Sequence, residues 1–314
     1  MTAPLVVVTG PTAVGKSEIA VELALKLDGE IISADSVQVF KYFNTGTAKL
    51  TLEEQRGVPH YFLDILEPDQ SFSVAQFQQQ ARRKIQEIQD RGKLPFLAGG
   101  TGLYIQAVID SFEFPETKGY EEIRKRHRQM WTQGKKEELY QKLQEIDPSS
   151  AKRIHPNDFR RISRALEVYH LTGKTISSYE HREEKSRYQL AMVGLTRSRA
   201  ELYARIEQRV EKMFAAGLVD EVRSMLDKGY SPDSKPFQTL GYKQVVEYLK
   251  GSYDLKTAVA ETKKATRHYA KRQMTWFRRD TRISWFMLQE GDNYQDVMDR
   301  ITRYLCRSIN INVE

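Results

Sequence analysis

Cysteine is nearly absent from this chain. Cys306 is the only one, which excludes a disulfide framework and any metal site built from several thiolates. Long apolar runs are missing as well: no stretch reaches the roughly 18 residues that a membrane span needs. Met1 is followed almost at once by the apolar run Leu5-Val6-Val7-Val8, so no signal peptide and a cytoplasmic location are expected. Repeats and low-complexity segments are also lacking. What is there is a chain of 314 residues, 40% hydrophobic and 29% charged, long enough for one large domain or two smaller ones with a substantial core. Nothing in it specifies an oligomer, and a monomer is the expectation.

Acid is scarce relative to base. The net charge is +7, and its distribution is uneven. Lys263 to Arg282 holds eight Lys/Arg against one acid, Asp280, and Lys118 to Arg187 holds seventeen Lys/Arg against eleven Asp/Glu. Two concentrated basic regions favour a large anionic ligand over general solubility.

The most specific signal is Gly10-Pro11-Thr12-Ala13-Val14-Gly15-Lys16-Ser17, between the apolar run 5–8 and the helical pattern 18–24. Strand, G-x-x-x-x-G-K-S loop and helix together form a phosphate-binding loop. Glycines let successive N–H groups converge on one anion, and the helix N-terminus adds partial positive charge. Lys16 supplies a full charge, and the Ser17 hydroxyl is placed to ligate Mg²⁺. The motif predicts a site for a di- or triphosphate.

Glu30-Ile31-Ile32-Ser33-Ala34-Asp35 reads as a second strand that delivers Asp35, Ser36, Val37 and Gln38 to its C-terminal end, where open α/β sheets bind ligands. A plainer role for Asp35 is a helix cap or a turn. Tyr61 to Leu66 is a further strand candidate, and 73–91 has the spacing of an amphipathic helix. Leu94-Pro95-Phe96-Leu97-Ala98 then runs into Gly99-Gly100-Thr101-Gly102, glycines that allow close backbone approach to a ligand.

This alternation predicts an α/β fold: a P-loop NTPase-like parallel sheet flanked by helices. Residues 117–187 read instead as an all-helical insertion, with helices at 121–131, 135–146 and 156–171. The catalytic core would then comprise 1–116 and 188–314. Strand character returns at 188–195. A helix at 198–216 begins with a capping-box pattern, Ser198 and Glu201, and carries Arg205 and Arg209. Another helix opens after Gly241-Tyr242-Lys243-Gln244. One long helix over 254–279 shows a basic stripe of Lys264, Arg267, Lys271, Thr275 and Arg278; its aromatics Tyr269, Trp276 and Phe277 are assigned to the core side. A strand at 283–287 and a helix at 293–309 complete the chain.

A phosphate loop with arginine-rich helices first suggests a small-molecule kinase, with Asp35 activating a hydroxyl. Against that, the second basic region offers more surface than a small substrate requires, and no run ending in Asp makes a convincing Walker-B strand. A non-catalytic RNA-binding module is a further reading, which Asp35 beside an intact phosphate loop argues against.

The chain resembles the tRNA dimethylallyltransferases. The resemblance rests on residues 10–17, 34–39 and 99–104, on Pro156-Asn157-Asp158, 164–168 and Thr172-Gly173, and on 217–222, 241–244 and 270–278, in family order over most of the chain. It implies transfer of a dimethylallyl group from dimethylallyl diphosphate to N6 of the adenosine 3′ of the anticodon, in tRNAs reading U-initial codons. The loop would hold the diphosphate leaving group, with Gly10, Thr12, Ala13, Val14, Gly15, Lys16 and Ser17 as its ligands and Mg²⁺ on Ser17. Asp35 would be the general base, Thr101 would lie near the amine, and Arg205 or Arg209 would contact the diphosphate. The tRNA anticodon stem-loop would meet Asp35, Ser36, Val37, Gln38, Thr101, Arg160, Arg161, Arg164, Gly241, Tyr242, Lys243, Gln244, Lys271, Arg272 and Arg278. Ser36 and Gln38 would read the edge of the flipped adenine. Arg160 stands where the family usually has Gln, which puts its base-reading role in question. The lone cysteine rules out the zinc-finger extension of eukaryotic members and fits the bacterial type. A related prenyltransferase acting on free adenine nucleotides is the nearest alternative; the long basic helix and the insertion argue against it.

Overall fold

A computed structural model describes residues 3–111, 114, 120–179 and 186–311. The chain begins with β1 (Pro4–Thr9), α1 (Lys16–Lys26), β2 (Gly29–Ser33), α2 (Leu52–Gln55), β3 (His60–Tyr61), α3 (Val74–Asp90), β4 (Leu94–Ala98) and α4 (Gly102–Ile109). Four helices follow: α5 (Tyr120–Thr132), α6 (Lys136–Ile146), α7 (Pro148–Ala151) and α8 (Phe159–Thr172). The chain continues through β5 (Gln189–Thr196), α9 (Arg199–Ala215), α10 (Leu218–Asp227), α11 (Tyr242–Leu249), α12 (Leu255–Phe277), β6 (Ile283–Met287) and α13 (Tyr294–Ile309).

The six strands form one parallel sheet in the order β3-β2-β4-β1-β5-β6. Parallel strands buried on both faces read as continuous apolar runs, and β1 is such a run, with Leu5 to Val8 fully buried. Register is regular, Val7 opposite Leu97 on one side and Met192 on the other. One core lies on each sheet face: Phe77, Ile85, Leu97 and Tyr242 belong to the first, Ile19, Leu23, Phe96 and Ile301 to the second. Because β1 lies between β4 and β5, the chain leaves it on one side and returns on the other. Such a topological switch opens a crevice at the strands' C-terminal ends.

The predicted strand over 61–66 is cut short at Tyr61. Phe62 and Asp64 adopt left-handed φ of 66° and 52°, which turns the chain out of the ladder, and Asp64 there accepts from Lys49 Nζ at 2.5 Å. Elsewhere the local signals act as expected. Ser73 and Gln76 close a reciprocal capping box on α3. At α9 only half of that pattern forms: Ser198 accepts from the Glu201 amide, whereas the Glu201 carboxylate pairs with Arg197.

The chain divides into two compact units, one containing the sheet and the other spanning Asp110–Lys185. The expected insertion was 117–187; its boundary residue Glu116 lies outside the described residues. The second unit has its own core of Leu139, Leu143, Ile162, Ala165 and Leu166. Its buried Glu167 accepts two bonds from Arg124, at 3.0 and 2.9 Å, and one from Ser163 at 2.7 Å.

Candidate active site

The 10–17 loop joins β1 to α1. Ala13 and Gly15 take φ of 64° and 109°, and a Cβ on Gly10 would fall 2.4 Å from the Leu195 carbonyl oxygen, so glycine is required there. Arg205 Nε donates to the Ala13 carbonyl at 3.0 Å, Arg197 Nε to Val14 at 3.1 Å and Lys16 Nζ to Pro11 at 2.8 Å. The carbonyls are thus satisfied from side chains. No side chain caps α1, so its first-turn amides remain available for an anion. Burial, reinforced by the Arg209 charge, pulls the Lys16 ammonium down to about 7, with Asp35 acting in the opposite direction. Ser17 is exposed, and its hydroxyl has no hydrogen-bond partner among the described residues.

Asp35 follows β2. Its Oδ1 accepts from the amides of Val37 at 2.8 Å and Gln38 at 3.2 Å, while Oδ2 has no described hydrogen-bond partner. The turn role and a free carboxylate oxygen therefore coexist in one side chain. Thr101, at the start of α4, accepts from the Ser36 amide at 3.2 Å, which joins the 99–102 loop to this turn.

Two cavities meet here, sharing Thr12, Asp35, Thr47, Arg209 and Tyr269. The smaller, about 100 Å³, has Lys16 and Ser17 among its lining residues together with Ala20, Ile31, Leu50, Leu63 and His60. His60 is bonded through Nδ1 to the Val58 carbonyl at 2.8 Å, and burial lowers its pKa, so it lines the apolar part as a neutral ring. The larger, about 400 Å³, is lined by Ser36, Val37, Gly46, Lys243, Gln244 and Arg272. Arg209 donates to the Thr47 carbonyl at 3.3 Å and is buried enough to lower its pKa, with Asp35 opposing. Burial, with the Asp35 charge as a second cause, pushes Tyr269 up to about 12, so it stays protonated.

Residues 38–280 match the family described as IPP transferase, and a tRNA dimethylallyltransferase of Thermoanaerobacter sp. (strain X514) is 48% identical over 314 residues, covering 99% of this chain and 100% of that one. The chain belongs to the IPP transferase family. A solved tRNA isopentenylpyrophosphate transferase from Bacillus halodurans is similar at 42% identity and TM-score 0.75, covering 98% of this chain and 97% of its own. A eukaryotic dimethylallyltransferase captured acting on tRNA is similar at 27% identity and TM-score 0.77, covering 92% of this chain and 74% of its own.

In this family member the structure separates residues that the sequence grouped. Arg209 lines both cavities, whereas Arg205 is exposed and bonded to the phosphate loop's carbonyl. Gln38 lines only the smaller cavity, and its amide is already engaged: Oε1 accepts from Ser33 Oγ at 3.0 Å and Nε2 donates to Thr47 at 3.3 Å. These two bonds hold the Gln38 amide to the wall formed by Ser33 and Thr47. Tyr242 is corrected. It is fully buried against Phe43, so its side chain meets no RNA, although Lys243 and Gln244 beside it do line the larger cavity. On α8, Arg160 and Arg161 are exposed, but the Arg164 guanidinium lies 4.5 Å over the Tyr120 ring and 3.9 Å from Glu167. On α12 and at its C-terminal cap, Lys271, Arg272 and Arg278 are exposed, Arg267 is paired with Glu207 at 2.7 Å, and Trp276 is a surface residue rather than a core one.

Gln273 escaped the sequence reading. It is buried on α12, accepts from the Thr12 amide at 2.8 Å and donates to the Gly100 carbonyl at 3.0 Å. One side chain thus fixes the phosphate loop relative to the 99–102 loop. A Cβ on Gly100 would fall 2.3 Å from Gln273 Nε2 and would displace that bridging amide. The available signal was its spacing, three residues after Ala270 and four before Phe277, which puts a polar side chain on the apolar face of a long helix.

Among the described residues no helix is long and apolar enough to cross a membrane. Nor do three His, Cys, Asp or Glu gather as a metal site there.

Proposed function

We propose that this chain transfers a dimethylallyl group from dimethylallyl diphosphate to N6 of the adenosine 3′-adjacent to the anticodon in tRNAs reading U-initial codons, in the cytoplasm and as a monomer. The observation that carries this reading is the meeting of two unequal cavities at Asp35 in a chain similar to proteins named tRNA dimethylallyltransferases. The smaller is lined by phosphate-loop residues and by the apolar Ala20, Ile31, Leu50 and Leu63, the mix that a diphosphate carrying a short branched alkyl chain calls for. The larger suits an extruded base, with exposed Lys271 and Arg278 nearby in sequence for phosphates.

In the reaction the C1–O bond to diphosphate breaks and a C1–N6 bond forms. The N6 proton passes to Asp35 Oδ2, the oxygen not engaged by the turn. Charge developing on the departing diphosphate is met by the loop amides, Lys16 and Arg209. Ser17, with its unengaged hydroxyl, would hold Mg²⁺, a cation commonly bound through one or two protein oxygens beside phosphate, which would supply positive charge where the leaving group becomes negative. Arg160 and Arg161, exposed on α8, and the basic α12 face supply contacts to the anticodon stem-loop.

The test is a labelled donor with purified protein and either tRNA or AMP as acceptor. Label is expected in tRNA and not in AMP, at the adenosine next to the anticodon. Label in AMP alone would replace tRNA by a free nucleotide, and phosphate transfer from ATP would restore the kinase reading.

A further inference from the structure

The segment between Phe40 and Leu50 has no regular secondary structure beyond its first residue's bridge, yet it supplies the wall shared by both cavities. Two residues far along the chain hold its tip. Glu221 Oε2 accepts from the amides of Thr45 at 2.8 Å and Asn44 at 3.3 Å, and Glu221 Oε1 accepts from the Tyr242 hydroxyl at 2.7 Å. That hydroxyl in turn accepts from the Gly46 amide at 3.0 Å. Three consecutive amides are thus fixed by one carboxylate–phenol pair. The Tyr242 ring presses against Gly46, where a Cβ would fall 2.5 Å from ring carbons. The next carbonyl, Thr47, accepts from Arg209 Nη2 and Gln38 Nε2, both at 3.3 Å. The order is continuous: Glu221 and Tyr242, then the amides 44–46, then the Thr47 carbonyl, then the Arg209 guanidinium between the cavities.

We propose that Glu221 and Tyr242 are positioning residues for the transfer site, which act by fixing the Thr47 carbonyl and, through it, the Arg209 guanidinium. The proposal rests on the reading of Arg209 as a diphosphate ligand. Neither residue lines either cavity, so their effect on the reaction is indirect. Burial beside Glu221 pushes the Tyr242 pKa upward, which keeps the phenol protonated as the donor this pair needs.

Tyr242→Phe keeps the ring and removes the hydroxyl; Glu221→Gln keeps the shape and weakens the acceptor. Both are measured in the full chain, by KM for dimethylallyl diphosphate, KM for tRNA, and affinity for inorganic diphosphate with Mg²⁺. Each is expected to weaken donor and diphosphate binding roughly fivefold to tenfold, as for a lost buried hydrogen bond, with tRNA KM within about twofold. The same measurements on Arg209→Ala, alone and combined with Tyr242→Phe, separate positioning from bulk stability. Residues acting through one group are non-additive, so Tyr242→Phe should add little once Arg209 is gone. Full additivity, or a lowered Tm with unchanged diphosphate affinity, overturns the proposal while leaving the Arg209 reading intact. Unchanged diphosphate affinity in Arg209→Ala overturns both.

Discussion

The two cavities that meet at Asp35 are built by different means. The smaller is made mostly from loops at strand ends: the phosphate loop after β1, the turn after β2 and the glycines after β4. Besides Lys16 and the loop's main-chain amides it is lined by Asp35 and Arg209, which it shares with the larger cavity. The larger draws on side chains of α9, α11 and α12 that lie far apart in sequence, among them Arg209, Lys243, Gln244, Tyr269 and Arg272. The contrast fits their proposed cargoes. A diphosphate is recognised by converging N–H groups at a helix start, whereas an extruded base needs a roomier, adaptable wall. Gln273 and the Glu221–Tyr242 pair keep the two constructions in register, each bridging a helix of the C-terminal half to a loop of the N-terminal half.

The largest expected effect falls on Asp35, one of the five residues the cavities share. Asp35→Ala should lower single-turnover prenyl transfer on the order of 10²- to 10⁴-fold with tRNA affinity nearly unchanged. Turnover near that of the parent would remove Asp35 as the base.

A second effect belongs to the smaller cavity alone. Lys16 is protonated below about 7 and neutral above it in the free protein. A bound diphosphate favours the charged form and restores a higher pKa. Donor affinity should therefore be pH-independent with respect to Lys16 below 7 and fall by up to about tenfold per pH unit above it, until the liganded pKa is reached. Titration of dimethylallyl diphosphate between pH 6 and 9 reads this directly; a flat profile would contradict the burial argument for Lys16.

The smallest effect concerns the basic face beyond the larger cavity. Replacing Lys271 and Arg278 together by Ala should reduce the slope of log K for tRNA against log salt by about two and leave diphosphate affinity unchanged. An unaltered slope would mean that this face is only solvated.

Legibility in the sequence follows the same division. The smaller cavity draws on contiguous motifs whose flanking strand and helix patterns fix their placement, so local context alone puts Thr12, Lys16, Ser17 and Asp35 at one crevice, whereas Thr101 was singled out by the family resemblance and lines neither cavity. The larger cavity depends on which face of a helix turns inward, and spacing alone does not decide that. Arg205 and Arg209 are four residues apart on α9, hence neighbours on its surface, yet one bonds the outside of the phosphate loop and the other lines both cavities. Tyr242 shows the converse failure. It begins α11 beside polar residues that do line the cavity, but its ring fills the space left by Gly46, a long-range fit with no local signature. The strand expected over 61–66 failed because left-handed backbone at Phe62 and Asp64 serves the 40–50 segment rather than the sheet.

In the proposed reaction, donor and base occupy separate cavities and meet at Asp35. A crystal structure with Mg²⁺, inorganic diphosphate and an anticodon stem-loop tests it most directly. Diphosphate is expected on the amides of the 10–17 loop, in contact with Lys16 and Arg209, together with a flipped adenine whose N6 lies within hydrogen-bond distance of Asp35 Oδ2. Diphosphate bound elsewhere, or an adenine seated away from Asp35, would contradict it.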